Sequence, residues 1–339
     1  MLAYCLLTIL KVVKPQRYLY YSEEVDKYNS GIPAKKKSRV ILEVFRNVVI
    51  YGVLPEEYFF FHFDKLSEIG KKAYITNRDR DRYLAEINAK EDWKIFMDKI
   101  NTYNFFGRFY GRVVSVISNV GDKEKFIEFI SVHKSIVVKP ITSSRGEGVK
   151  LYNAENQNYE IMFDTLLSEY TEGFVVEEVI HQHRIMSALN ESSVNTVRCP
   201  TILSGDKVHI FYPIIRIGRK GSFVDNGSAG GILASIDPET GIVFTKGRDE
   251  LGNSFVLHPD SGHVIPGFKI PEWDELLKIV KDAAKIVSST RYVGWDMAYT
   301  DNGWVIVEGN NYGQFSVLQI PYGNGIKNDF LNIVNDKRN

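Results

Sequence analysis

Two acidic residues and an asparagine interrupt the apolar pattern of YVGWDMAYTDNGWVIVEGNN (292–311), a segment otherwise typical of a β-hairpin. If residues 301–303 form the loop, strand alternation places Asp296 opposite Glu308, with Asn310 next on the same face. Carboxylates so placed have Cβ atoms about 5 Å apart and repel each other unless a cation lies nearby. Because Mg²⁺ prefers oxygen ligands, the hairpin predicts a magnesium site.

Two alternatives stay open for this hairpin. The acids could lie on a solvated face, while Trp295, Met297, Val305 and Val307 form the buried face. A two-residue turn at 302–303 would shift the register by one residue, and the two acids would then face opposite sides of the sheet. The choice between these interpretations depends on the rest of the chain.

A lysine and a glycine-rich loop follow another predicted strand, SIVVKP (135–140). Backbone N–H groups in such a loop can surround phosphate oxygens, and a lysine just before it adds positive charge. The loop lacks the GxxxxGK[ST] pattern and opens no helix, so a plain hairpin turn and an edge lysine are the alternatives. The residues predicted to contact phosphate are Lys139, Ser143, Ser144, Gly146 and Gly148.

The segment GFVVEEVIHQH (173–183) reads as an apolar strand that ends in two glutamates. The end of such a strand offers backbone N–H and C=O groups to the edge of a purine, and a glutamate can accept from an exocyclic amine. Two ordinary surface glutamates are the alternative.

The order of these motifs resembles that of the ATP-grasp superfamily, over approximately residues 85–320. Four blocks carry a closer resemblance to its sugar-transfer-associated branch. They are YGVLPEEYFFF (51–61), SVNTVR (193–198), FVDNGSAGGILASIDPETG (223–241) and VGWDMAYTDNGWVIVEGNN (293–311).

The resemblance implies an α+β, ATP-grasp fold with two mixed α+β lobes that enclose the nucleotide. We therefore expect a helical, aromatic-rich N-terminal region (1–84), a small lobe with nucleotide-binding strands (85–190) and a large lobe with the metal-binding hairpin (191–339). The sequence pattern agrees in part, because residues 1–135 read as helical and short β-branched runs begin at Ser135. Residues 271–289 read as one long helix.

The resemblance also implies roles for individual residues. Lys139 would hold the α- and β-phosphates of ATP, and the 143–148 loop would close over the triphosphate. A second lysine usually contacts the phosphates as well; Lys90 and Lys94 are the candidates, and Lys90 is favoured. The family's ribose-binding acid is not evident, so Gln182 or His183 is expected to replace it. The adenine would be lined by Glu177, Glu178, Val179 and Ile180, and one or two Mg²⁺ ions would be held by Asp296, Glu308 and Asn310.

The implied reaction transfers the γ-phosphoryl group of ATP to a carboxylate, and an amine or similar nucleophile then captures the acyl-phosphate. Such chemistry needs cations at the γ-phosphate, and Arg198 and Arg216 precede the acidic hairpin on predicted strands. We predict both as catalytic residues, with surface ion pairs as the alternative. The glycine-rich stretch 223–241 predicts a loop near a ligand, so Asp225 and Asn226 are assigned to the substrate; a surface hairpin is the alternative.

Three classes of function are compatible with these motifs. The favoured one is a carboxylate–amine ligase that takes a sugar acid or amino acid in surface-polysaccharide biosynthesis; its acceptor could be a sugar or sugar nucleotide. The others are an ATP-dependent kinase and a nucleotide-binding module without turnover. The acidic hairpin argues against the last, because opposed acids without a metal are unfavourable. A homodimer is compatible with all three.

The composition excludes several other classes. Among 339 residues, 42 Lys and Arg balance 42 Asp and Glu, which argues against a nucleic-acid partner. Cys5 and Cys199 lack metal or disulfide spacing, which favours a cytoplasmic location. The apolar start MLAYCLLTILKVVK is shorter than the about 20 residues of a transmembrane helix. It predicts a first helix packed on the protein, with an interfacial anchor as the alternative.

Overall fold

The computed structural model describes residues 14–29, 33–142, 148–222, 225 and 230–336. A helical region precedes a four-stranded sheet and an eight-stranded sheet. The apolar start of the chain lies outside the described residues. So do four of the predicted site residues, which are Ser143, Ser144, Gly146 and Asn226.

The N-terminal region is built from amphipathic helices. They are α1 (Pro15–Tyr28), α2 (Ala34–Tyr51), α3 (Pro55–Phe60), α4 (Glu68–Lys72) and α5 (Asn77–Ile87). Helix α2 ends at Gly52, whose φ of 72° is left-handed and favours glycine. Helix α5 begins with a capping box in which Thr76 and Asp79 satisfy each other's backbone N–H groups. Local sequence therefore fixes both helix boundaries.

The smaller sheet is antiparallel, with the strand order β1-β4-β2-β3. Its strands are β1 (Val114–Ile117), β2 (Ser135–Pro140), β3 (Lys150–Asn153) and β4 (Phe174–Glu178). Strand β1 corrects the prediction that residues 1–135 are helical. The run VSVI is short and β-branched, and it pairs with β4 far along the chain, which a local helical pattern does not reveal. Helices α8 (Lys123–Val132) and α9 (Tyr159–Glu169) share a core with this sheet.

The larger sheet is also antiparallel, in the order β10-β9-β8-β7-β5-β11-β12, and β6 pairs with β5. Its central strands are almost fully buried and rich in Ile and Val. The strands are β5 (Thr196–Ser204), β6 (Lys207–Ile210), β7 (Ile214–Ile217), β8 (Ile232–Ser235), β9 (Gly247–Arg248), β10 (Ser254–Phe255), β11 (Tyr292–Thr300) and β12 (Gly303–Asn310).

The remaining helices flank the larger sheet or connect the two sheets. They are α6 (Trp93–Met97), α7 (Lys99–Phe106), α10 (Arg184–Ser187), α11 (Trp273–Ala284), α12 (Ser316–Tyr322) and α13 (Lys327–Val334). The predicted 271–289 helix is thus shorter at both ends than expected. Trp273 of α11, Phe106 of α7 and Trp295 of β11 belong to one core, so these helices pack on the larger sheet.

The N-terminal helices share a hydrophobic core with the C-terminal helices α12 and α13. Gln319, which is 1% exposed, accepts a hydrogen bond from Ile75 N–H at 2.9 Å and donates to the Ile75 carbonyl at 2.9 Å. Phe330 packs against Tyr83 with ring centroids 5.4 Å apart. The N-terminal helices and the helices α12 and α13 therefore form one packed unit. Within the described ranges, no helix combines the length and the apolar character needed to cross a membrane.

Glu57 is a buried acid at the junction of α3 and α5. Its Oε2 accepts hydrogen bonds from the backbone N–H groups of Leu54 at 2.9 Å and Asn77 at 3.0 Å. Burial outweighs these bonds and raises the pKa of the Glu57 carboxyl to about 7.

We expect Glu57→Gln to change how stability depends on pH. A raised pKa means that the stabilising contribution of the protonated carboxyl is complete below about 4.5, its ordinary pKa, and is lost as pH rises through about 7. Relative to the parent, the variant should therefore gain roughly 2–3 kcal/mol at pH 8 compared with pH 4.5. Urea unfolding at both pH values measures this difference, and an unchanged difference would contradict the assigned pKa.

Candidate active site

The two acids of the hairpin face each other, as predicted. Asp296 on β11 pairs with Glu308 on β12, and Asn310 pairs with Gly294. Asp296 is only 5% exposed, so the alternative of a solvated acidic face is wrong. The side chains of Trp295 and Met297 are buried as well, so both faces of this strand lie inside the protein.

The route to this pairing differs from the prediction. The loop has two residues, Asp301 and Asn302, rather than three, and Thr300 pairs with Gly303. The register then shifts between Met297 and Asp296, so that one residue of β12, at position 307, has no partner. This β-bulge restores the pairing that the shorter loop would otherwise have broken.

Two arginines on neighbouring strands hold Asp296. Arg198 on β5 donates to it through Nε and through Nη2, the latter at 2.7 Å, and Arg216 on β7 approaches at 3.1 Å through Nη1. Burial opposes the ionised form, but the two guanidinium groups outweigh it and lower the pKa of Asp296. The predicted catalytic arginines are therefore ion-paired, and their side chains are only 12% and 11% exposed rather than at the surface.

Asp225 belongs to the same charge network. Its side chain lies 2.8 Å from Arg216 Nη2 and accepts a hydrogen bond from Thr196 N–H at 3.0 Å and another from the Thr196 hydroxyl. Asp225 is 6% exposed, which excludes the alternative of a surface hairpin at this residue. The carboxylate predicted to contact substrate thus orients Arg216 in this structure.

Glu308 lacks the arginine contacts of its neighbour. Burial and, to a smaller extent, the negative charge of Asp296 raise the pKa of the Glu308 carboxyl. The positive charges of Arg198, Lys99 and Lys139 oppose this rise without cancelling it. Asn310 donates a long hydrogen bond of 3.4 Å to Asp296. A cation near Glu308 would offset both the cost of burying its carboxylate and the repulsion by Asp296.

These three side chains fit the magnesium site that the hairpin predicts. The carboxylates of Asp296 and Glu308 pair across the hairpin, and the side-chain amide of Asn310 lies beside Asp296 with its NH₂ group toward it, so carboxylate and amide groups of the kind that bind Mg²⁺ lie close together. Among the residues that the structure describes, no group of three or more His, Cys, Asp and Glu side chains could hold a metal ion. The fit therefore depends on an amide oxygen and on ligands from outside the protein.

The smaller sheet contributes a second charged cluster. Glu177 on β4 is 4% exposed, and its Oε2 lies 2.7 Å from Lys139 Nζ and 2.9 Å from Arg112 Nε. Burial alone would raise the pKa of Glu177, but Arg112 and Lys139 hold it at about 2. Neither residue matches its surface alternative, because Glu177 is buried and the Lys139 side chain is only 14% exposed and ion-paired with it.

Arg112 joins this cluster to the acidic hairpin. It donates to the carbonyl oxygens of Ile306 at 2.8 Å and Val307 at 3.4 Å, on β12 at the bulge. The same guanidinium contacts Glu177, so one side chain connects the two sheets. The sequence motifs gave no indication of this role.

Lys99 is a further residue that sequence reasoning missed. It begins α7, where its backbone N–H donates to the Ile141 carbonyl at 3.2 Å. Burial, and also the nearby Lys139, lower its pKa, whereas Glu308 acts to raise it. Lys99 therefore lies between the two acidic clusters.

The favoured upstream lysine, Lys90, occupies a short 3₁₀ helix (Lys90–Asp92) and is exposed, as is Lys94 on α6. Neither enters the electrostatic surroundings of Glu308 that Lys99 and Lys139 share. In the described arrangement it is Lys99, and not Lys90 or Lys94, that lies near Lys139 and Glu308.

Three of the four residues predicted to line adenine meet at one cavity of about 140 Å³. Glu178, Val179 and Ile180 lie on one side of it, and the turn Thr300–Asn302 lies on the other. Glu177 points away from this cavity toward Lys139. The cavity opens where the end of β4 meets the β11–β12 turn.

The two candidates for the ribose have different partners. The side-chain amide of Gln182 donates to the Asn190 and Ser193 carbonyl oxygens at 3.0 and 2.6 Å and accepts from Asn195, so it braces a loop. His183 caps the short helix α10 by accepting from Ile185 N–H at 3.2 Å. The His183 side chain remains the candidate for a ribose contact.

Gly148 is the described end of the glycine-rich loop. Its φ of 71° is left-handed, and a Cβ there would lie 2.7 Å from Pro140 Cγ. Strands β2 and β3 pair antiparallel on either side of the loop, so it connects a hairpin at the edge that carries Lys139.

Residues 78–335, more than half of the chain, match the family described as sugar-transfer associated ATP-grasp. The chain belongs to this ATP-grasp family. No curated protein matches the chain. The α+β fold with its two sheets is accordingly an ATP-grasp fold, as the sequence motifs predicted.

Several solved structures are similar to this ATP-grasp chain. The D-alanine–D-alanine ligase from Coxiella burnetii has 13% identity and a TM-score of 0.38, with 64% of this chain and 48% of that one covered. The L-amino acid ligase from Bacillus licheniformis has 12% identity, a TM-score of 0.44 and coverage of 71% and 48%. The N5-carboxyaminoimidazole synthetase from Staphylococcus aureus, complexed with ADP, has 12% identity and a TM-score of 0.44, with 68% of this chain and 48% of that one covered. The chain spans about half the length of these proteins.

Proposed function

We propose that the protein is an ATP- and Mg²⁺-dependent ligase that activates a carboxylate as an acyl-phosphate and joins it to an amine. One observation carries the proposal. The Asp296–Glu308 pair of the larger sheet has two lysines near Glu308, namely Lys99 at the start of α7 and Lys139 on β2 of the smaller sheet. Carboxylates that can bind a metal cation and lysines that can contact phosphate oxygens are the groups needed to bind a nucleoside triphosphate.

Different residues of the chain would bind different parts of ATP. Lys139 and Lys99 would contact phosphate oxygens as point charges, and Lys139 would exchange its present partner, Glu177, for phosphate. The backbone of the 143–148 loop would approach the same phosphates. Adenine would lie at the cavity beside Glu178, Val179 and Ile180, with His183 toward the ribose.

The magnesium ligands would be Asp296, Glu308 and Asn310, and Mg²⁺ bound there would neutralise charge on the triphosphate. Arg198 uses two of its five N–H donors for Asp296, and its other donors are suited to the γ-phosphate or the substrate carboxylate. Arg216 is held between Asp225 and Asp296, which fixes its guanidinium on the same side of the sheet. These arginines would stabilise the negative charge that moves during transfer.

The family description mentions sugar transfer, and on that ground we propose a sugar acid or amino acid as substrate in surface-polysaccharide assembly. Asp225 would act on the substrate through Arg216, and Asn226 remains a proposed substrate contact. A cytoplasmic location, where ATP and Mg²⁺ are abundant, and the possibility of a homodimer belong to the same proposal.

Trapping with hydroxylamine tests the reaction type. An acyl-phosphate is a mixed anhydride that hydroxylamine converts to a hydroxamate, whereas a phosphate ester survives. We expect a screen of uronic acids and amino acids with ATP and Mg²⁺ to give substrate-dependent ADP and hydroxamate together. Arg216→Ala should lower both by about 10²-fold or more while it retains most ATP affinity. ADP release with a stable phosphorylated hydroxyl, and no hydroxamate, would identify a kinase instead.

A further inference from the structure

A second cavity, of about 310 Å³, lies in the N-terminal part of the molecule. It is bounded by the end of α2, the end of α4, the start of α5 and the start of α13. None of its lining residues belongs to the candidate active site. The charged residues around it are Lys71, Lys72, Arg78, Asp79, Arg82 and Lys327.

The charge around this cavity is strongly unbalanced. Five cations face one carboxylate, although the chain as a whole has equal numbers of acidic and basic residues. Like charges gathered around a concave surface repel one another and raise the local concentration of anions. Composition alone does not produce this arrangement, so the cavity has the charge of an anion-binding site.

Three of the five cations are fixed in place by known partners. Asp79 lies 3.1 Å from Arg82 and 2.6 Å from Lys327. Arg78 donates to the carbonyl oxygens of Val48 and Val49 at 3.0 and 3.1 Å, at the C-terminal end of α2. These contacts orient three positive groups around the cavity while only one negative charge is present to balance them.

Lys71 and Lys72, at the end of α4, supply the remaining positive charge. The ion pairs found in the described part of the chain include neither of them. Lys71 Nζ lies 5.7 Å from the centroid of the Tyr51 ring, so an aromatic face supports this cation. Glu68, on the same helix, is exposed, accepts a hydrogen bond from the Tyr51 hydroxyl and interacts electrostatically with both lysines.

We propose that this cavity binds a ligand that carries a phosphate or diphosphate group. Several cations at one point favour a multiply charged anion over a single carboxylate, and guanidinium groups match phosphate oxygens. The ring of Tyr51 adds apolar surface for the rest of the ligand. The proposal does not rest on the ligase activity, because the two sites share no residue.

Inorganic pyrophosphate is the first probe of this cavity. Calorimetric titration of the full chain should detect its binding, and Lys71→Gln/Lys72→Gln should weaken it at least about tenfold. Lys65→Gln removes an exposed lysine of the same region that does not line the cavity, and it should leave binding unchanged. Thermal unfolding of both variants checks that each is folded.

A further variant separates this cavity from the active site. Lys139→Ala removes a lysine that we place at the ATP phosphates, so it should abolish only pyrophosphate binding at the active site and leave the component that depends on Lys71 and Lys72 within about twofold of the parent. The proposal is overturned if Lys139→Ala abolishes pyrophosphate binding while the Lys71/Lys72 double variant binds normally. It is also overturned if the parent does not bind pyrophosphate at all.

Vesicles distinguish the two sources of such a ligand. A lipid phosphate predicts that the parent co-sediments with phosphatidylcholine vesicles that contain phosphatidic acid, and that the double variant does not. A soluble phosphate compound predicts pyrophosphate binding without co-sedimentation. Equal co-sedimentation of the parent and the double variant would show that this cavity does not receive the lipid, and would count against the lipid source.

Discussion

Replacing Arg198 with alanine should lower the free energy of unfolding by about 3–5 kcal/mol. The guanidinium of Arg198 is the main partner of Asp296, which is 5% exposed, and its removal leaves a buried carboxylate with insufficient positive charge. Chemical denaturation of the parent and the variant at pH 7, without nucleotide, measures the difference.

Arg219→Ala is the matched control for this prediction. Arg219 pairs with Asp260 at 2.7 Å, but its side chain is 33% exposed, so this pair should contribute only about 0–1 kcal/mol. Equal losses in the two variants would show that burial does not distinguish the Asp296 pair. If Asp296 also binds Mg²⁺, ATP with Mg²⁺ should stabilise Arg198→Ala more than the parent, because the metal replaces the missing charge.

Glu308→Gln should have opposite effects on activity and on stability. Turnover should fall by about 10²–10³-fold, because the proposed metal site loses a charged ligand. Stability without metal should rise at pH 8, since a raised pKa in the folded state means that folding opposes ionisation of this carboxyl. That stabilising difference should disappear toward pH 4, where Glu308 is protonated in both states.

ADP release and thermal unfolding, each with and without Mg²⁺, test this pair of effects. Glu239→Gln, a change at an exposed acid, serves as the control and should alter neither quantity. Parental turnover in the variant would show that Glu308 is not a ligand of the metal. Lower stability than the parent at pH 8 would contradict the raised pKa of the Glu308 carboxyl.

The pairing of Asp296 with Glu308 was predictable from alternation, but its cause was not. The prediction assumed a three-residue loop, whereas the chain uses a two-residue turn and recovers the register at a bulge. The bulge is stabilised by Arg112, which belongs to another part of the chain and donates to the Val307 carbonyl. A local pattern contains no information about such a partner.

Lys99 shows a second limit of sequence reasoning. In the sequence, Lys99 follows Asp98 at the start of a helix, a position typical of a solvent-exposed lysine. It reaches the site because its backbone N–H pairs with the carbonyl of Ile141, which follows the strand that carries Lys139. Lysines of the same segment, such as Lys90, look equally suitable in sequence, so only tertiary structure separates them.

Asp225 illustrates a role that changes with context. Its glycine-rich surroundings predicted a contact with substrate, whereas the structure surrounds it with Thr196 and Arg216. An acid that binds a substrate and an acid that orients an arginine have the same sequence signature. The type of residue was therefore predictable, but its partner was not.

The hydrogen bonds between Gln319 and Ile75 join residues 244 positions apart. During synthesis on the ribosome, helices α1 to α5 emerge long before α12 and α13, which complete their hydrophobic core. Until α12 and α13 are synthesised, the early helices therefore expose apolar surface, a condition that favours aggregation and chaperone binding. Such long-range closure is also slow, because the chain must bring its ends together before these contacts form. We expect nascent chains that stop before residue 315 to remain protease-sensitive in the N-terminal region, although that region is already fully synthesised.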